Sequence, residues 1–219
     1  MKLLSDRTTL IIAGAWNPAI VNPNWIGREI LKYPLEKQFT VGIALPIQDM
    51  NVAGLQPRLT FESLSMTASA QALTFFIDAG NDAQILKTFD VASKVLRTLS
   101  HTPVVALGIN FAYSVGAFCK RVEEAFASNS SLLHAVGDQH GVAAQQSWSV
   151  ALQLNDHLLN VAYSDQKDNK EVALNHHFES GGSAVTAAEI LEREDLFASL
   201  LKLSAQTVEV LEAKGDDHG

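Results

Sequence analysis

One order of hydrophobic periods is written twice along this chain, and that order limits the fold more than any single motif does. Thr8-Thr9-Leu10-Ile11-Ile12-Ala13-Gly14 is a β-branched apolar run suited to a buried strand. Asn22-Pro23-Asn24 then offers a turn and a cap for a short helix from Trp25 to Lys32, ended by Pro34. Between Gln38 and Pro46, Phe39, Val41, Ile43 and Leu45 alternate, which is the period of a half-buried strand. After a loop from Asp49 to Pro57, Arg58 to Met66 and Ala70 to Asp78 read as two strands of one hairpin. Ala79-Gly80-Asn81-Asp82 delivers a helix N-cap. Ile85, Phe89, Ala92, Leu96 and Leu99 then recur at helical spacing, with Lys87, Lys94 and Arg97 off the stripe.

The order begins again at Thr102-Pro103. Val104 to Phe111 reads as a strand and Ala117 to Ala127 as a short helix, followed by an exposed connection from Ser128 to Ala143. Trp148, Val150, Leu152 and Leu154 alternate, and Asn155-Asp156 turns the chain into Leu158 to Tyr163. Val172, Leu174, His176 and Phe178 share one face of a further strand. Ser180-Gly181-Gly182-Ser183 precedes a last helix whose stripe is Leu196, Phe197, Leu200, Leu201, Val208 and Leu211.

Val41 aligns with Val150 and Phe89 with Phe197, and the extra length of the second half falls in Ser128 to Ala143. The expectation is an α+β protein of two β-α-β-β-β-α repeats, residues 1–101 and 102–219, packed as one compact unit. Hairpins followed by helices favour an antiparallel curved sheet backed by two long helices over a doubly wound parallel sheet. In architecture this resembles helix-grip proteins and the saddle of the TATA-binding protein, a likeness that implies no function.

Val104 to Tyr113, the hairpin Val150 to Val161 and the closing segment from Glu189-Ile190-Leu191 to Val210-Leu211 resemble a sporadically distributed, uncharacterised bacterial family of two-part α+β proteins. The likeness covers about half the chain. That family's acidic residue after an Asn-Ala-Pro-like opening is missing from Ala15-Trp16-Asn17-Pro18-Ala19-Ile20-Val21. The resemblance implies a fold and assigns no catalytic residues.

Composition removes several function classes. With 47% hydrophobic and 18% charged residues the chain can bury a sizeable core. No apolar stretch approaches a membrane span, and Met1 to Arg7 lacks the apolar segment of a secretory signal, so a cytoplasmic location is expected. A net charge of −8 argues against a surface that tracks nucleic-acid phosphates. Such a saddle would need Arg58, Lys87, Lys94 and Arg97, or Lys167 and Lys170, gathered on one surface. Cys119 is the only cysteine, which excludes an intrachain disulfide and a thiolate cluster; among Val115, Ala117, Phe118 and Val122 it reads as a core thiol.

No catalytic or metal constellation stands out, and no cofactor is expected. His176 and His177 are neighbours in a strand and point to opposite faces, so they cannot chelate one ion. His134 and His140, with Asp138 between, match no zinc spacing. Ser180 to Ser183 lacks a basic partner for an anion, and Glu189, Glu192, Glu194 and Asp195 read as solvated charges favourable to a helix N-terminus. A Gly-x-Ser-x-Gly elbow and a phosphate-binding glycine loop are both absent. Trp16, Trp25 and Tyr33 cluster in an opening segment too apolar for an ordinary loop, as sheet-edge core or as a binding surface.

The leading expectation is a non-catalytic interaction or assembly protein acting through a sheet or aromatic surface, with a protein partner or self-association. Trp16, Trp25, Tyr33, Tyr113, Trp148 and His176 are its candidate binding residues. The rival is a small-molecule-binding or enzymatic helix-grip protein with a sheet–helix cavity lined by Phe75, Tyr113, Trp148 and His176.

Overall fold

The computed structural model describes residues 1–37, 40–44, 57–120, 122–124, 146–166 and 169–212. The strands are β1 (Lys2–Leu3), β2 (Thr8–Gly14), β3 (Val41–Ala44), β4 (Arg58–Phe61), β5 (Leu64–Ala68), β6 (Ala72–Ile77), β7 (Pro103–Val115), β8 (Gln146–Gln153), β9 (Leu158–Gln166) and β10 (Asn169–Ser183). The helices are α1 (Pro23–Trp25, continued by a π-helical turn over Ile26–Ile30), α2 (Asp82–Thr98), α3 (Ala184–Leu191) and α4 (Leu196–Leu211). All ten strands join one antiparallel sheet in the order β3-β4-β5-β6-β2-β7-β10-β9-β8. β1 pairs with Tyr113 and Ser114 of β7, beyond the stretch of β7 that β2 occupies. The fold is thus α+β, with a large antiparallel sheet and several helices.

Helix starts follow their caps. The Asn22 side chain accepts from the Trp25 backbone N–H at 3.0 Å, with Pro23 in the first helical position. Asn81 does the same for Gln84 at 3.0 Å, and Ser183 for Thr186 at 3.2 Å. Gln84 also ties α2 to the sheet by donating to the Ser63 carbonyl and accepting from the Asp78 backbone.

Three elements differ from the periodicity. Arg58 to Met66 is not one strand but β4 and β5, folded at Glu62-Ser63 with Glu62 at φ 50°. The first half therefore has four strands between its helices rather than three. Lys37 first, then Tyr33 and Lys87, donate to the Glu62 carboxylate, which holds its pKa down at about 2 and ties down this non-glycine turn. The closing helix is also broken, between α3 and α4, where Asp195 stands at φ 54°. Finally, β10 runs through Ser180-Gly181-Gly182-Ser183, where a register shift in its pairing with β7 absorbs two glycines at positive φ.

Among the described residues, helices cover one face of the sheet and none covers the other. Met66, Phe75, Leu10, Ile109, His176 and Leu159 lie in register across β5, β6, β2, β7, β10 and β9, all buried. Over this row α2 packs on β5 and β6, while α3 and α4 pack on β7 and β10; α2 and α3 also pack on each other. Phe111 of β7 meets Phe197 of α4 edge-on at 5.4 Å, and Phe197 meets Phe89 of α2 at 5.7 Å. Burying Phe111 and Phe197, at about 1.5–3 kcal/mol each, with the half-buried Phe89 against them, makes this triad a principal anchor of the helix layer. Residues on the alternate positions of β7, β10, β9 and β8 face the other way.

Candidate functional site

The uncovered face carries a built polar row. Thr9, Asn110, Asn175 and Asn160 are direct cross-strand neighbours on β2, β7, β10 and β9. Asn160 donates to Asn175 at 3.1 Å, Asn175 to Asn110 at 2.7 Å, and Asn110 to the Thr9 hydroxyl at 2.9 Å. Every bond points the same way, and each asparagine keeps one further N–H to offer. Gly108 makes room for this row, because a Cβ there would lie 2.9 Å from Asn175 Nδ2.

Beside the row, Ala112, Ala173 and Ala162 are again in register, and they floor a depression of about 210 Å³. Arg7, paired with Glu171, borders its far side. Toward the sheet edge the face continues as Ser147, Ser149, Ala151 and Gln153 of β8, all exposed.

A second constellation runs from the exposed Asp156 and Arg193 to the buried His157, His176 and Ser204 of α4. Asp156 meets His157 Nδ1 at 2.7 Å, His157 Nε2 meets His176 Nδ1 at 2.9 Å, and His176 Nε2 meets the Ser204 hydroxyl at 2.8 Å. Arg193 donates to the other Asp156 oxygen at 2.6 Å. With both rings neutral only one arrangement satisfies every atom. Ser204 donates to His176, His176 to His157, and His157 to the carboxylate.

Desolvation first, then His157, lowers the His176 pKa to about 4. The hydrogen bond from His157, then Arg193, lowers that of Asp156. The chain resembles a nucleophile relay in order alone, since Ser204 and His176 are fully buried. A fully buried hydroxyl is out of a substrate's reach, so the order of the groups assigns no chemistry to Ser204.

A cleft of about 400 Å³ opens between α2 and the α3–α4 junction. Ile85, Leu86, Phe89, Leu191, Leu196 and Phe197 make it apolar, and Asp82, Arg193 and Asp195 supply polar atoms.

The sequence candidates scatter over this frame. Trp16 is buried and donates its indole N–H to the Ile12 carbonyl at 3.0 Å; Trp25 packs half-buried on the core. Tyr33 donates to Glu62. Tyr113 is buried on the helix side, with its hydroxyl unpartnered among the described residues and its pKa pushed up to about 12 by desolvation. Trp148, 43% exposed, stacks on Tyr163 at 5.9 Å. His176 belongs to the buried histidine network, and Tyr33 to the Lys37–Lys87 cluster around Glu62. None of Phe75, Tyr113, Trp148 and His176 lines the cleft.

Sequence reasoning overlooked the asparagine row, although part of its signal was there: Asn110 and Asn160 each interrupt an apolar run, a position this residue type seldom takes. It also overlooked His157, which stacks on Phe178 at 4.5 Å. His134, Asp138 and His140 lie outside the described residues, among which no group of three or more His, Cys, Asp or Glu could hold a metal. No described helix is long and apolar enough to cross a membrane. No family model, curated protein or solved structure matches this chain.

Proposed function

We propose that this protein is a non-catalytic interaction or assembly protein that meets other protein through its sheet. The observation that carries this reading is where charge is missing. In a chain of net charge −8, Gly108, Asn110, Ala112, Ala173, Asn175, Asn160, Ala162 and the whole of β8 form a neutral zone bordered by the Arg7–Glu171 pair. Depletion of charge at the centre is what distinguishes a protein contact from ordinary surface. Neutral amides and hydroxyls in a fixed row suit hydrogen bonding to another polypeptide, and small side chains let its backbone come close.

The same proposal includes a duplicated, saddle-like scaffold. Outward from the central β2–β7 pair the strands run β6, β5, β4 on one side and β10, β9, β8 on the other. Phe89 and Phe197, aligned by sequence, touch each other, as equivalent residues do near a two-fold axis. By position in the sheet this reading sets β8 opposite β4, and so Val150 opposite β4 rather than Val41 of β3.

The cleft supports a second reading, a small-molecule site, because its volume falls in the range of ligand pockets and it joins apolar walls to a few polar groups. Gentle purification followed by native mass spectrometry separates the two. Self-association or a stoichiometric protein partner is the expected result; a monomer carrying one reproducible small molecule and no protein overturns the first reading.

A further inference from the structure

We infer that the partner at this surface is a second copy of the chain, joined edge to edge through β8; this rests on the interaction reading above. β8 closes one side of the sheet, paired only with β9 among the described residues and in unbroken register from Gln146↔Asp165 to Gln153↔Leu158. A free strand edge presents unpaired backbone N–H and C=O groups, and proteins protect such edges with charge, proline, bulges or shortness. The opposite edge is β3, described over Val41–Ala44. β8 is eight residues long and reads Gln-Ser-Trp-Ser-Val-Ala-Leu-Gln, with no charge, proline, glycine or bulge. Nothing in it resists pairing.

The side chains say which strand fits. An antiparallel pair about a two-fold axis at Val150 sets Val150 against its own copy and Trp148 against Leu152 of the second copy, twice. Trp148 and Leu152, each 43% exposed, would cover one another on the helix side. On the other side Ser149 faces Ala151 and Ser147 faces Gln153, small or neutral throughout. A sequence that complements itself about its own middle is the requirement of an isologous contact, which closes as a dimer and does not propagate. Two strongly acidic chains repel each other, and β8 is a stretch where they can meet without opposing carboxylates.

The test uses the full chain in sedimentation equilibrium. A dimer is expected, tightening as salt is raised because screening weakens the repulsion between acidic copies. Ser149→Lys with Ala151→Lys places ammonium groups opposite one another and is expected to weaken the dimer by about 100-fold or more. Both positions are exposed, so folding is retained and is checked by circular dichroism. Mixing that variant with Ser149→Glu/Ala151→Glu is expected to restore a dimer containing one of each. In a Cys119→Ser background, Val150→Cys is expected to form an intermolecular disulfide on mild oxidation, and Ser164→Cys is not. A chain that stays monomeric at about 100 μM, or a dimer indifferent to the paired lysines, overturns the second-copy assignment. If that monomer still captures a different protein in native purification, the broader interaction reading stands while this one fails.

Discussion

Acid should weaken this protein in a window set by one buried ring. His176 is fully buried and its folded pKa is near 4, against about 6.5 for an unperturbed histidine. Between those values the unfolded chain binds a proton that the folded chain refuses, so stability rises with pH across the window and falls as pH is lowered. At about 1.4 kcal/mol per pKa unit, the drop between pH 7 and pH 4 comes to about 3 kcal/mol, a sizeable share of the 5–15 kcal/mol that holds a typical domain folded. Urea denaturation followed by tryptophan fluorescence at pH 7, 6, 5 and 4 measures it. His176→Leu with Ser204→Ala removes both the titrating ring and one group it would leave unpaired. That variant starts less stable at pH 7 because His157 loses a partner, but its curve should be flatter by about 3 kcal/mol. If wild type and variant decline in parallel, His176 is not the group that senses acid, and its burial does not control its protonation as argued.

Gly14→Ala should cost about 2–4 kcal/mol and lower Tm, because its Cβ would sit 2.5 Å from the Pro103 carbonyl oxygen, at the register shift between β2 and β7. Tyr113→Phe should be neutral or stabilising by up to about 1 kcal/mol in the same urea assay, since it removes a buried hydroxyl without a partner among the described residues. Asn175→Ala breaks the row at its centre, removing the bonds to Asn160 and Asn110, and should cost about 1–2 kcal/mol in thermal unfolding.

Much of the frame was legible from local chemistry. Asn22 and Asn81 announced helix starts because capping is a short-range bond, and strict alternation put His176 and His177 on opposite faces. The turn at Glu62 was not legible, since nothing in Phe61-Glu62-Ser63-Leu64 favours positive φ. It is held by Tyr33, Lys37 and Lys87, which come from distant sequence. The break between α3 and α4 was hidden for a similar reason, lying in an acidic stretch that suits a helix well. The asparagine row and the histidine chain depend on register between strands far apart in sequence. Alternation fixes which face a residue takes, but not which residue it meets across the ladder.

The central position of β7 has a consequence for how the chain comes off the ribosome. β7 is flanked by β2 and β1 on one side and by β10 on the other, so the first half cannot complete its own sheet. Until residues 103–115 are made, β2 presents an apolar edge running through Leu10-Ile11-Ile12, and Leu3 lacks its β7 partner. The interval between synthesis of β6 and synthesis of β7 is therefore the nascent chain's exposed period, when a chaperone or a neighbouring nascent copy can reach that edge.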